Sequence, residues 1–351
     1  MTDPQYLVLD AVDSLMFRDG RPFNQADDGA SRAVSVFPPY PPTIVGAVRA
    51  ALWQGPLAGT WNKAKLGTGT NWQKDSLGPL SFGPPTLLKN GEPLFPVPRH
   101  VVEGTKHGTS GKIRTFLRPG DDVLECDLGK VRLPEPDRVL DGLKPVEDEW
   151  LTLSGIRTIL DQKEPKDEHV IKRDRVWGSE DRVGIGIVPD TRAVHDGHLY
   201  MASHIRLADD VTLGVTLHNA DRIEKRLRPL AGEHRMAEID QASKPFHLPE
   251  HPKDLTSEHY CIILLSPLVP MQDNEKTFAN MPGTIVSACL GKAIPIGGWD
   301  SQKKQSIPLR RAIPAGSVWF MKTKDIKNLR WPKGLGIGTN WGFGQYLIGK
   351  W

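Results

Sequence analysis

Two Gly-x-Gly units separated by five residues, Gly334–Gly336 and Gly342–Gly344, stand just before the last apolar stretch of the chain. Glycine tolerates positive φ and has no side chain to hold a neighbour away, so here the backbone either turns sharply or lies against something. A dinucleotide fingerprint needs G-x-G-x-x-G after a strand and before a helix. The third residue after Gly336 is Thr339, and the stretch after Gly344 reads as a strand, so both spacing and context exclude that fold. Two readings remain: a hairpin turn feeding the last strand, or a loop whose N–H groups meet a ligand.

At 351 residues the chain has room for two domains with cores of their own. Its 34 glycines and 30 prolines call for many turns and short strands. A net charge of +3 is too small to identify a nucleic-acid partner, but the charge is segregated along the chain. Residues 121–149 hold ten acidic and four basic side chains, 303–333 hold nine basic and one acidic, and 99–118 hold five basic and one acidic. Basic segments of this kind suit phosphate, and the acidic one suits solvent or a basic protein. The three cysteines are distant from one another and form no CxxC, which fits buried thiols in a reducing compartment and speaks against zinc or disulfides. The opening Met-Thr-Asp-Pro lacks targeting character, and the longest apolar run, Cys261 to Leu265, is too short to span a bilayer. A cytoplasmic chain with no membrane contact is expected.

Tyr6 to Val12 reads as an interior strand, and Asp19-Gly20 as a tight turn flanked by Arg18 and Arg21. The Pro-rich 37–42 delivers the chain to Thr43 as N-cap of a helix over 44–53, with Ile44, Val48, Ala51 and Leu52 towards the core and Gly46, Arg49 and Trp53 on another face. A helix start with a glycine in its first turn and an arginine one turn on can receive a phosphate; the alternative is close packing at Gly46 and a solvated Arg49. Residues 55–178 read as an insertion, helical only over 151–160. Strands follow at 182–188, through 207, and at 210–217, with Asp196-Gly197 at a hairpin turn; 221–230 reads as a basic helix. After proline-rich 244–253 come a buried strand at 259–266, a short helix at 280–292, and strands at 294–299, 307–313 and 316–322.

Catalytic signatures are missing: no HExxH, no Walker A, no paired Asp-x-Asp and no G-x-S-x-G elbow. A metal-independent RNA cleavage site needs only a histidine base with a nearby Tyr or Lys, and His195 with Tyr200 is the candidate for it.

The stretches FRDGRPF, FPPYPP with TIVGAVRAAL, RVGIGIVPDTRAVHDGHLY, LAGEHRMAEI, PIGGWD, RRAIPAGSVWF and GLGIGTNWGFG, in this order, resemble the RAMP superfamily. More narrowly they resemble the third-subunit family of the Cmr effector complex of type III-B CRISPR systems. The resemblance implies an α+β fold of two ferredoxin-like (RRM-like) domains, at 1–240 and 241–351, the first carrying the insertion at about 55–178. It implies a non-catalytic RNA-binding subunit without cofactor or metal. Its expected partners are the 5′ repeat-derived tag of the guide RNA, a large Palm-domain subunit, a backbone RAMP subunit and, indirectly, target RNA. RNA-binding positions carried over from the motifs are Arg18, Arg21, Gly46, Arg49, Arg182, Gly334, Gly336, Gly342, Phe343 and Gly344. The spacer between the glycine pairs, Ile337 to Trp341, holds no basic residue, so charge there would come from Lys333 or Lys350. The alternatives are a RAMP endoribonuclease that processes guide precursor and a protein scaffold with little RNA contact.

Overall fold

The computed structural model describes residues 3–18, 31–53, 61–108, 111–126, 129–188, 190–252, 255, 257–271, 280–300, 302–324 and 329–351, with backbone alone at 31, 32 and 194–200. The fold is mostly β-sheet with few helices, an α+β mixture. The chain divides into two compact units: Met1–Gly91, Asp174–Pro245 and Pro295–Arg310 form the first, and Glu92–Arg173, Phe246–Ile294 and Arg311–Trp351 form the second. A division at residue 240 with one insertion is simpler than this, because 92–173 is grouped with the C-terminal stretches.

In the first unit, strands β1 (Gln5–Ala11), β2 (Thr86–Lys89), β3 (Val211–His218) and β4 (Met236–Gln241) form an antiparallel sheet in the order β2-β3-β1-β4. Leu7 and Leu9 are fully buried on one face of β1, opposite Val215 and Leu213 on β3. Helix α1 (Pro41–Trp53) lies between β1 and β2 in the chain. It begins two residues before the expected Thr43, since proline is well suited to a first turn, and it buries Ile44, Val48 and Ala51 as its spacing requires. A long hairpin pairs Trp177–Ile187 with Val194–Leu207, and Ser31–Ala33 lies parallel to the second strand. Asp196-Gly197 is not the turn: it falls within Val194–Leu207, and ahead of it the Val188 N–H donates to Ala193 O at 3.0 Å.

The second unit repeats the pattern. Strands β5 (His259–Leu264), β6 (Thr284–Cys289), β7 (Val318–Lys322) and β8 (Tyr346–Lys350) form an antiparallel sheet in the order β6-β7-β5-β8. Among the four strands named in each sheet, the first in chain order sits between the third and fourth and the second lies beside the third; the first sheet continues with further strands at both ends. The β5–β8 sheet is covered on both faces. Cys261, Ile263, Phe320 and Leu347 pack with Phe95, Phe116 and with Ile156 and Ile159 of helix α2 (Leu153–Leu160). Tyr260, Ile262, Leu264, Trp319 and Ile348 pack with Leu268, Leu335 and Met281 on the other side. Burial on both faces is why β5 reads as a continuous apolar run rather than an alternation. Each such side chain removed from water stabilises the fold by about 1.5–3 kcal/mol.

Helix α2 lies where a helix was expected, capped by the Thr152 side chain accepting from Gly155 N. Two other helical readings give way to strands. Arg226–Pro229 pairs with β4, where Pro229 cannot sit in a helix interior. Residues 284–289 form edge strand β6, favoured by the β-branched run Thr284-Ile285-Val286 and its pairing with β7. Cys261 and Cys289 are buried, with thiols pushed up to about 12 by desolvation. Cys126 is exposed, in contrast to the expectation for all three.

Candidate nucleic-acid interface

Arg49 sits inside the first unit, 1% exposed. Its Nε–H donates to Leu66 O at 2.8 Å and its Nη1–H to Gly69 O at 2.6 Å, and its guanidinium lies 5.0 Å from the Trp61 ring centroid. Burial pulls its pKa down to about 10, so it remains charged at neutral pH. In this arrangement the side chain ties the Leu66–Gly69 segment to α1 rather than facing solvent. Gly46 is the reverse case: it is exposed, and an added Cβ would meet nothing within 4 Å. Packing therefore does not require glycine at 46.

Arg182 lies on the long hairpin within a network of alternating charge. Its Nη2–H donates to Asp13 Oδ2 at 3.1 Å and its Nε–H to Glu180 Oε1 at 2.7 Å. Arg206 donates to Glu180 Oε2 at 2.6 Å and to Asp13 Oδ1 at 2.9 Å, and Arg235 donates to Asp13 Oδ2 at 3.2 Å. Hydrogen bonds from Arg182 first and Arg206 second hold the Asp13 carboxyl down at about 2. The Glu180 carboxyl is lowered by Arg206 and then Arg182. Three arginines thus face two shared carboxylates and Glu233, which lies 3.7 Å from Arg235. A phosphate reaching Arg182 has to compete with bidentate partners already in place.

Behind the network, Ser14 Oγ lies 3.0 Å from His204 Nδ1, and His204 Nε2 lies 3.0 Å from Glu233 Oε2. Serine, histidine and carboxylate in series have the makings of a nucleophilic triad. Here Ser14 is 1% and His204 0% exposed, so no substrate reaches the hydroxyl. Burial lowers the His204 pKa, with Glu233 acting against it, and the chain of hydrogen bonds satisfies buried polar groups. The side chains of His195 and Tyr200 lie outside the described residues.

The terminal glycine run closes on its own chain. Leu335 N–H donates to Gly344 O, Gly344 N–H to Pro267 O and Ile337 N–H to Val269 O, all at 2.9 Å. Gly336, Gly342 and Gly344 have φ of +77°, +92° and +62°. A Cβ on Gly336 would lie 2.2 Å from Val269 O, and one on Gly344 would lie 1.8 Å from Leu335 O. Gly334 is hemmed in by Thr339 at 2.8 Å. Phe343 is fully buried. The close approach that these glycines permit is therefore to their own backbone. Lys333 and Lys350 are both exposed, but the Lys350 ammonium pairs with Asp161 at 2.7 Å.

Arg18 is exposed and bridges Ser35 through the backbone, whereas Arg21 lies outside the described residues. The basic segment 99–118 finds carboxylates in its own unit: Lys112 with Glu103 at 2.7 Å, Arg114 with Glu149 and Asp167 at 3.0 Å each, and Arg118 with Asp137 at 2.7 Å. Lys112, Arg114 and their acidic partners line a polar cleft of about 520 Å³. The basic charge of 99–118 is thus largely neutralised within its own unit. No grouping of His, Cys, Asp and Glu fit to hold a metal occurs among the described residues, and no described helix is long and apolar enough to cross a membrane.

Sequence reasoning missed Asp13, Glu180, Arg206, Glu233 and Arg235. Glu233 and Arg235 belong to the stretch LAGEHRMAEI, whereas Asp13, Glu180 and Arg206 belong to none of the quoted stretches, and no such stretch says anything of pairing across the sheet.

A family model described as CRISPR-associated protein (Cas_Cmr3) matches residues 7–351. Among solved structures, the chain is similar to one from the type III-B Cmr-beta complex bound to cognate target RNA and AMPPnP, with 20% identity over 90% of this chain and 86% of that one, at a TM-score of 0.51. A chain from the same complex bound to cognate target RNA shows 18% identity over the same shares, at a TM-score of 0.48. No curated protein sequence matches the chain.

Proposed function

The chain belongs to the Cas_Cmr3 family of CRISPR-associated proteins, and from that premise we propose that it is the RNA-holding, non-catalytic third subunit of a type III-B interference complex. It anchors the 5′ repeat-derived tag of the guide RNA, docks on the large Palm-domain subunit and abuts a backbone RAMP subunit, so that it meets target RNA only indirectly. The observation that carries this reading is the extent of the family match, which runs from β1 to the last residue. The shared strand order of the two sheets supports a pair of ferredoxin-like units. Such a sheet holds single-stranded RNA by phosphate contacts and by stacking splayed bases on aromatic side chains.

The non-catalytic part of the proposal draws on the sealed Ser14–His204–Glu233 chain, whose hydroxyl has no opening to solvent. Because Arg49 and Arg182 have partners within the fold, affinity rests more on exposed cations such as Lys333. Filter binding of the full chain to guide RNA with its tag intact, scrambled or removed tests the role. Preference for the intact tag, weakening steeply with salt, is the expected result. Equal affinity for the tagless guide would refute anchoring.

A further inference from the structure

The hairpin formed by Ile294–Asp300 and Gln305–Ala312 carries an exposed tryptophan that makes no hydrogen bond or ring contact among the described residues. Trp299 is 61% exposed and Leu309 is 47% exposed. A lone exposed apolar side chain is ordinary on a protein surface; this one is singled out by being a tryptophan on a well-held element with basic residues close in sequence. The element is well held. Trp72, 3% exposed, donates its indole N–H to Gly297 O at 2.8 Å, and Gln73 Nε2–H donates to Pro308 O at 2.7 Å. Asp300, 2% exposed, closes the turn by accepting from the backbone N–H groups of Gln302 and Lys303, both at 3.1 Å. Just before the tryptophan, Gly298 has a φ of +147°, and a Cβ on Gly297 would lie 2.9 Å from Leu309. A side chain at either glycine would therefore crowd the hairpin's own apolar residues, Leu309 or Ile307.

What surrounds the tryptophan decides the partner. Lys303 and Lys304 follow at the turn, both exposed, and neither forms a salt bridge among the described residues. Arg310 lies on the second strand beside Leu309. The one carboxylate of the hairpin, Asp300, is buried and bound to backbone. An exposed indole followed within five residues by Lys303 and Lys304 is complementary to a nucleobase attached to phosphate: the ring offers a sequence-tolerant stacking face and the two ammonium groups neutralise the backbone. A protein partner with an apolar patch would be served by the tryptophan and leucine but would leave the lysines without purpose.

We propose that Trp299 is a base-stacking platform for single-stranded RNA, with Lys303 and Lys304 holding the adjoining phosphates. This deepens the proposed RNA-holding role and rests on it, adding a contact outside the positions assigned above. Because the hairpin is pinned before RNA arrives, little ordering cost is added on binding.

The test is fluorescence anisotropy of the full chain with a short labelled oligoadenylate, and with the same oligomer made abasic. Trp299→Ala is expected to weaken binding of the intact oligomer about ten-fold and Trp299→Phe to retain most of it. The wild-type chain is expected to bind the abasic oligomer as poorly as Trp299→Ala binds the intact one. The double change Lys303→Gln and Lys304→Gln should reduce the salt slope by about 1.4, two phosphate contacts on a single strand. Equal wild-type binding to intact and abasic oligomers overturns the stacking claim without any mutant having to fold. Unchanged RNA affinity in Trp299→Ala, with loss of co-purification with another subunit, makes the face a protein dock and likewise overturns it. Either result leaves the tag-anchoring role standing if tagged guide still binds; failure of the wild-type chain to bind any RNA, alone or in a reconstituted complex, sinks both.

Discussion

Arg49 shows how far a residue's chemistry depends on what folding brings to it. From the sequence it is a fork donor on a helix face beside a glycine. In the structure two backbone carbonyls from the Leu66–Gly69 segment take the fork and the Trp61 ring covers it. Those carbonyls come from a loop with no periodicity to read, so nothing local gave the arginine away. Arg49→Ala is expected to destabilise the first unit by about 2–4 kcal/mol, read as a lower urea midpoint, since it strips charged donors from two acceptors. Arg49→Lys recovers only part, because an ammonium cannot reproduce the fork. Asp13 makes a prediction in pH. Its folded pKa, about 2, lies below the ordinary carboxylate value, so its stabilisation is complete above pH ~4 and lost as pH falls from there towards 2. With a side chain 44% exposed the effect is screened, below about 1 kcal/mol. Asp13→Asn should remove that part of the acid-unfolding profile and leave neutral-pH unfolding limited by the lost ion pairs.

At the scale of elements, the strands with strong apolar patterns were legible, and so was helix α2, read over 151–160. Short amphipathic segments were not. Residues 221–230 and 280–292 are brief enough to fit either period, and pairing with β4 and β7 decided them as strands. The two glycine features separate by the same logic of neighbours. Gly344→Ala meets Leu335 O at 1.8 Å with φ at +62°, so a loss of at least about 3 kcal/mol is expected, seen as poor soluble yield and a lower Tm. Gly46→Ala meets nothing within 4 Å in a helix interior, and should raise stability by about 0.5–1 kcal/mol. If RNA lies against α1 as the motif resemblance implies, the same change weakens tagged-guide binding while Tm rises. A rise in both removes Gly46 from the interface.

At the scale of the molecule, the sequence motifs pointed to a chain of two parts, and two compact units emerge, each containing four antiparallel strands in the same relative order. What could not be read was the partition. Residues 92–173 looked like an insertion because their strands are short and broken by prolines, yet their apolar side chains Phe95, Phe116, Leu151 and Ile156 complete the core against β5 and β7. Nor could the neutralisation of the 99–118 segment be read, because its carboxylate partners lie up to 53 residues away. The basic charge left exposed on the 303–304 turn is therefore the better guide to the proposed RNA contact. The proposed role is tested most directly by reconstituting the type III-B complex with guide RNA carrying a photoreactive nucleotide in its 5′ tag, irradiating it, and identifying the adducted chain by mass spectrometry. The role predicts adducts on this chain from the tag position, fading when the photoreactive nucleotide is moved to the 3′ end. Adducts confined to other subunits from every tag position would contradict it.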